Sequence, residues 1–294
     1  MSQPWPTYAG QALLDVDFRN NGLPINNADF SDATLRFADF SGLNVSGVNF
    51  TGADLTEANF SNARLDNCDF TGANLKEADF NSARFDAGVN NVVLNDANLT
   101  GANLSDVFAL HPHFIGANLT AANLDNAQLI AASFERGNLS RITALNTNWE
   151  STVLADANLE KAVLRGSDLS DSTLENTDLR RADLSNTSAE FANFDNTNCR
   201  GARFDSAIYE HVTFDYADLE MSNFTNATAD QCSFRGADFS SVRTANATFP
   251  ASTFHRTNLA NTRLPSVEMI QTPPQDTHPS TPPPPPESEP GMTI

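Results

Sequence analysis

From residue 25 onward a large apolar residue stands at most of the fifth positions. Stepping from Phe30 gives Leu35, Phe40, Val45, Phe50, Leu55, Phe60, Leu65, Phe70, Leu75, Phe80 and Phe85. Two residues before most of these stands a small one, as at Ala28, Ala33, Ala38, Ala53, Ala58, Ala63, Cys68, Ala73, Ala78 and Ala83; Leu43 and Val48 are exceptions. The other three positions are mostly Asn, Asp, Ser, Thr, Gly, Glu or Arg. ADLTE, ANFSN and ANLKE are typical units. The register slips once, because Phe85 and Leu94 are nine residues apart. From there the large positions run through Leu99, Leu104, Phe114 and Leu119 to Leu264. The slip lies in DAGVNNVV at 86–93, around Gly88. A local kink or a shortened corner is expected there, or else a junction between two β-helical segments or a partner-facing feature.

A period of five fits neither regular element. On an α-helix it advances the face by about 140° per step, so the apolar residues would spiral around the axis. On a flat strand an odd period places successive large residues on opposite faces. The conflict disappears if the chain turns a corner in every unit. The small and large residues, two apart, then point to one side, and the corner resets the direction.

The columns indicate how many corners make one turn. From Ile25 to Phe80 the large residue alternates between aliphatic and Phe. In the second register Ala109, Trp149, Ala189, Tyr209 and Ala229 share one column of period twenty. Phe114, Phe134, Phe194, Phe214, Phe234 and Phe254 share another. Four units per coil predict an all-β solenoid of about twelve coils, roughly 58 Å long at a strand spacing of about 4.8 Å. The expected core includes Phe30, Phe40, Phe50, Phe60, Phe70, Phe80, Leu94, Leu99 and the aromatic residues of the two later columns. Backbone groups would pair from coil to coil, and the ends would need caps.

The organisation follows. Residues 1–24, with Trp5, Tyr8, Leu13, Leu14 and Phe18, are expected to cap the first coil, and 25–264 form the repeat. Residues 265–270, with Val267, Met269 and Ile270, are expected to cap the last coil. The proline-rich 271–294 reads as a disordered tail or docking element.

Repeated A(D/N)LXX units over residues 25–264 resemble the pentapeptide-repeat superfamily. The resemblance implies a right-handed quadrilateral parallel β-helix. It also brings a functional expectation. The Qnr and MfpA members of that superfamily are rod-shaped dimers that resemble duplex DNA and occupy its place on type II topoisomerases.

Charge refines that expectation. The chain of 294 residues has a formal net charge of −20. This argues against direct nucleic-acid contact, which needs Lys and Arg to displace counterions, and against an anionic membrane surface. Spread along the rod, the charge of the repeat falls at about one per 4 Å, against one per ~1.7 Å in duplex DNA, so any mimicry must be local. The candidate acidic surface is Asp86, Asp96, Asp106, Asp125 and Glu135, in a stretch without Lys or Arg between Arg84 and Arg136. The chain departs from the Qnr pattern in two ways: it has no in-frame loop insertions, and it ends in a proline-rich tail.

No constellation points to catalysis. His111 and His113 form the sole closely spaced His pair, and no Cys or carboxylate cluster joins them. Cys68, Cys199 and Cys232 fall at inward positions and read as packing residues. No catalytic residue, metal ligand or cofactor site is expected. The start MSQPWPTYAGQ has neither a basic nor an apolar leader region, and no apolar stretch would span a membrane, so a cytoplasmic protein is expected. The leading expectation is a non-catalytic interaction scaffold with another protein as partner. The alternatives are a DNA-mimicking modulator of gyrase or topoisomerase IV, with homodimerisation as in the members it resembles, and a secretion-associated effector or adaptor.

Overall fold

Each five-residue unit closes on a tight turn. The carbonyl of a large residue accepts the N–H of the small residue three positions on, as from Ala33 to Phe30 and from Ala53 to Phe50, both 3.0 Å. The residue before the small one is left-handed, for example Asp32 (φ 55°) and Glu57 (φ 57°). That conformation costs an L-residue about 1–2 kcal/mol. It is held by a bond to the following coil: Asp32 N–H reaches Thr51 O and Glu57 N–H reaches Lys76 O, each at 2.9 Å. At Gly47 an added Cβ would lie 2.4 Å from Asn27 Oδ1, so a larger residue there would have to displace the Asn27 side chain.

A computed structural model describes residues 5–85 and 92–265. Asp86, Gly88, most of the expected C-terminal cap and the whole proline-rich tail lie outside them. The polar residue between the small and large positions pairs with its equivalent in the next coil, always in parallel. Four such ladders run along the molecule. They include Asp29–Asn49–Asp69 on the first wall, Thr34–Asp54–Asn74 on the second, Asp39–Asn59–Asp79 on the third and Asn44–Arg64–Arg84 on the fourth. The chain is therefore a parallel β-solenoid with four sides to each coil.

Among the described residues only the fourth wall forms strands: β1 (Asn44–Ser46), β2 (Arg64–Asp66), β3 (Arg84–Phe85), β4 (Phe108–Leu110), β5 (Gln128–Ile130), β6 (Ser188–Glu190), β7 (Ile208–Glu210) and β8 (Thr228–Asp230). β1–β5 make one parallel sheet and β6–β8 a second.

The coil step lengthens at the register slip, which excludes a shortened corner there. Asp69 pairs with Val93, Asn74 with Asn98, Asp79 with Asn103 and Arg84 with Phe108. These steps are 24 residues, so this coil gains four residues between Phe85 and Val92 and loses none. In a five-residue repeat, a gain of four and a loss of one leave the same downstream register, and the sequence alone cannot separate them. All four ladders continue across the insertion, so it joins no two separate solenoids.

The stretch before Ile25 is itself wound. Thr7, Ala12 and Asp17 pair with Asp29, Thr34 and Asp39. Tyr8 stacks on Phe30 at 4.7 Å and Phe18 on Phe40 at 4.4 Å. Tyr8, Leu13 and Phe18 keep the five-residue step, but Pro6, Gln11 and Val16 stand where Ala would mark it.

The interior is filled. On the first wall Phe30, Phe50 and Phe70 stack at 5.5 and 4.8 Å; on the third, Phe40, Phe60 and Phe80 stack at 4.8 and 5.0 Å. Rings from the two walls meet nearly edge-on, Phe50 to Phe60 at 82°. Such arrangements add about 0.5–1.5 kcal/mol per pair beyond burial. The expected core residues are buried, except that Phe254 is only partly covered. Several small positions hold a buried hydroxyl that donates to a main-chain carbonyl, such as Thr147 to Leu124 O and Ser167 to Ala144 O, both 2.7 Å. The three cysteines are buried and free.

Candidate functional site

The walls and the edges of the rod differ in what their side chains have left to offer. On the second wall, Asn98 Oδ1 accepts the Thr100 hydroxyl at 2.7 Å, and that hydroxyl accepts from Asn118 Nδ2 at 3.1 Å. The same two bonds recur from Asn118 to Thr120 and on to Asn138. Other wall residues cap their own turn: Asp29 Oδ1 accepts the Ser31 N–H at 3.0 Å and Asp39 Oδ1 the Ser41 N–H at 2.8 Å. This is the local side-chain-to-backbone bonding that suits Asn and Asp to turns. Much of the acidity in the repeat is thus engaged in holding corners. Close packing of carboxylates shows at Asp218, whose pKa is raised by burial first and then by Asp238, against the pull of Arg200.

The left-handed corner residues project from the edges. Four of the exposed large apolar side chains stand at such positions: Phe37 (φ 62°), Phe191 (φ 56°), Tyr216 (φ 60°) and Met221 (φ 62°). Phe191 stacks on His211 of the next coil at 4.9 Å, and Arg235 lies over the Tyr216 ring. A corner with these dihedral angles is satisfied by Gly, Asn or Asp at lower cost. Nothing in the fold requires an aromatic ring or a Met there.

The candidate acidic residues do not converge. Asp96 is a corner residue between the first and second walls, and Glu135 lies beside that edge; the Glu135 carbonyl accepts the Gly116 N–H. Asp106 is a corner residue between the third and fourth walls, and Asp125 stands one coil on, its carbonyl accepting the Asp106 N–H. These two edges are diagonally opposite. Asp125 is further engaged, accepting the Leu145 N–H at 2.8 Å, and Asp106 accepts from Asn81 Nδ2. Asp86 lies outside the described residues.

His111 is an exposed corner residue and His113 a first-wall residue in ladder with Val93 and Ser133. Among the described residues no group of three or more His, Cys, Asp or Glu could hold a metal. Burial pushes the thiols of Cys68, Cys199 and Cys232 up to about 12 and raises the Tyr209 phenol as well. These are the properties of packed side chains, since nucleophilic thiols need a lowered pKa and access. No helix among the described residues is long and apolar enough to cross a membrane.

A second charged feature runs around the rod, where cations far apart in sequence stack on one edge. The edge between the second and third walls carries Arg141, Lys161 and Arg181 at successive corners, flanked by Arg180 and Arg200. A groove of about 410 Å³ runs there, lined by Glu160, Arg180, Arg181, Arg200, Gly201 and Met221. Arg180 pairs with Asp178 at 2.6 Å and lies 3.6 Å from Glu160; Arg200 makes a two-pronged pair with Glu220. The bond from Lys161, then the neighbouring charges of Lys161 and Arg180, lower the Glu160 carboxyl. A cue was present in the sequence: cations at 161, 180, 181 and 200 are spaced by about one coil.

A filled four-sided solenoid with bonded walls and projecting edges defines a repeat scaffold. The chain belongs to the pentapeptide-repeat family: the model of pentapeptide repeats matches in eight copies, over residues 25–52, 53–87, 113–148, 138–171, 150–186, 172–208, 192–228 and 232–269. No curated protein matches it. Among solved structures it is similar to HetL, a pentapeptide repeat protein involved in heterocyst differentiation regulation from Nostoc sp. strain PCC 7120. Identity is 20%, covering 89% of this chain and 94% of that one, with a TM-score of 0.26. A trypsin-treated variant of QnrB1, a plasmid-mediated fluoroquinolone resistance protein, is 18% identical over 63% of this chain and 90% of its own, with a TM-score of 0.36. A pentapeptide repeat protein of the Arabidopsis thaliana thylakoid lumen is 27% identical over 37% and 66%, with a TM-score of 0.22.

Proposed function

We propose that this chain is a non-catalytic protein-interaction rod whose partner protein is bound along the edges. One observation carries the reading: Phe37, Phe191, Tyr216 and Met221 are exposed at left-handed corners that Gly, Asn or Asp would occupy at lower cost. Exposed aromatic and Met side chains are characteristic of contact surfaces. The walls support the reading from the other side, because their polar groups are already bonded to one another. The filled interior supports a non-catalytic role, since acid–base chemistry needs a cleft that shifts pKa values towards neutrality.

The test is photo-crosslinking from single sites in the native host. A photoreactive phenylalanine at Phe37, Phe191 or Met221 is expected to trap a discrete protein that reforms the complex when purified. The same residue at the wall positions Asn118 or Asn158 is expected to trap it less. Adducts from the walls alone, or none from any edge, would overturn the proposal.

A DNA-mimicking modulator of gyrase or topoisomerase IV needs acids gathered on one face. The division of Asp96 and Glu135 from Asp106 and Asp125 favours the scaffold over that reading. A supercoiling assay separates them: inhibition of gyrase, or its protection from a quinolone, by micromolar protein would restore the mimic. The effector reading rests on residues 271–294, outside the described residues. There, unchanged partners after deletion of the tail would count against a docking role.

A further inference from the structure

We propose that the groove along the edge between the second and third walls, from Arg141 to Met221, docks an acidic peptide segment carrying an apolar side chain. The inference rests on the interaction-rod reading and specifies the partner's chemistry. Along this edge the corner residues change character, from acidic at Glu57 and Glu77 to cationic at Arg141, Lys161 and Arg181. Among the described residues, Arg141 and Arg181 make no ion pair and no side-chain hydrogen bond, so both guanidinium groups are free for a ligand. Arg180 and Arg200 are held in place by Asp178 and Glu220, and these pairs leave some of their five N–H donors unused. A guanidinium fork matches a carboxylate with two parallel bonds, which makes Arg the suitable donor for this ligand.

The shape fits the charge. Gly201 leaves a notch between the Arg181 and Met221 corners, and its open flank is measured by a would-be Cβ that meets nothing nearer than Arg181 Cγ at 3.8 Å. At about 4.8 Å per coil the notch is roughly 10 Å across. Its far side is Met221, 56% exposed, a soft apolar wall for one aliphatic or aromatic side chain. Carboxylates at one end and an apolar side chain at the other describe the ligand.

Length argues for a protein segment over a nucleic acid. The cationic run from Arg141 to Arg200 covers three coil steps, about 15 Å. A polynucleotide extending along the edge would meet Glu77 and Glu57, on a chain of net charge −20. A short peptide stays within the patch, where charges beyond about 10 Å are screened.

The experiment is fluorescence anisotropy on the full chain, with a labelled peptide built of Glu-Glu-Leu units. Its comparators are the Gln-Gln-Leu peptide and a labelled oligothymidylate. Wild type is expected to bind the Glu peptide at least tenfold more tightly than either comparator, and less tightly as salt rises. Arg181→Glu and Arg141→Glu are each expected to weaken binding about tenfold, while Arg181→Lys retains most of it. Glu57 and Glu77 already occupy this left-handed column, so the Glu variants suit the backbone. Gly201→Phe is expected to block the notch, a substitution whose backbone strain Phe37 and Phe191 show to be tolerable.

Equal binding of the Gln peptide, an Arg181→Glu affinity within twofold of wild type, or tighter binding of the oligothymidylate would overturn the proposal. If wild type fails to bind the Glu peptide while crosslinks still form at Phe37 or Phe191, this groove assignment is wrong and the rod reading stands. If both fail, the rod reading fails too.

Discussion

Phe60 shows what a single inward residue contributes. It is fully buried, stacks on Phe40 and Phe80, and meets Phe50 and Phe70 edge-on. Phe60→Ala removes all four ring contacts and leaves a cavity that rigid coils cannot close. A loss of about 3–5 kcal/mol is expected in urea unfolding; a loss under about 1 kcal/mol would mean that the coils relax into the space. The thiols give a pH dependence. Cys68, Cys199 and Cys232 titrate near 12 when folded, against an ordinary 9.0. The folded state therefore keeps protons that the unfolded chain releases. Their contribution is complete below about pH 9 and is lost as pH rises from there towards 12, by up to about 1.4 kcal/mol per pH unit for each thiol. Replacing Cys68 and Cys232 by Ala and Cys199 by Val is expected to flatten the fall in urea midpoint between pH 8 and pH 10.5. An unchanged slope would remove the thiols as its cause.

At the scale of one unit, the turn explains what the sequence revealed and what it hid. The inward pair was legible because burial demands one small and one large residue at fixed spacing, and Ala33 with Leu35 meets that demand in every detail. The corner was legible only as a necessity. Its left-handed residue can be Gly52, Glu57, Asp96 or Phe191, because the bond to the next coil holds the conformation whatever the side chain. Composition at that position therefore carries little signal, and the exposed side chains at the edges are not legible in the sequence for that reason. The insertion was hidden by arithmetic alone. A variant lacking residues 87–90 would place Asp86 and Asn91 at the corner, Val92 at the small position and Leu94 at the large one. Asp69 and Val93 would then be twenty apart, as elsewhere. That variant is expected to fold with a thermal midpoint at or above wild type. Loss of the β-rich far-ultraviolet spectrum would show that the inserted residues are needed to turn this coil.

At the scale of the molecule, stability is a sum over coils and their neighbours, so it should vary along the rod. Phe254, Leu259 and Leu264 are only partly covered at one end, whereas Phe114, Phe134 and Trp149 are fully buried in the middle. Amide exchange is expected to be fastest after residue 244 and slowest through the central coils; uniform protection would indicate a single cooperative block. The larger claim is a division of labour, with walls holding the rod together and edges meeting the partner. Thermal melting of Asn118→Ala beside Arg181→Glu tests it most directly. Asn118 bonds the Thr100 hydroxyl, the Thr120 hydroxyl and the Thr120 N–H, and Arg181 bonds no side chain among the described residues. Asn118→Ala is expected to cost about 1–3 kcal/mol and lower the midpoint by several degrees, while Arg181→Glu leaves it within about a degree. A midpoint unmoved by Asn118→Ala, or lowered as far by Arg181→Glu, would contradict the account.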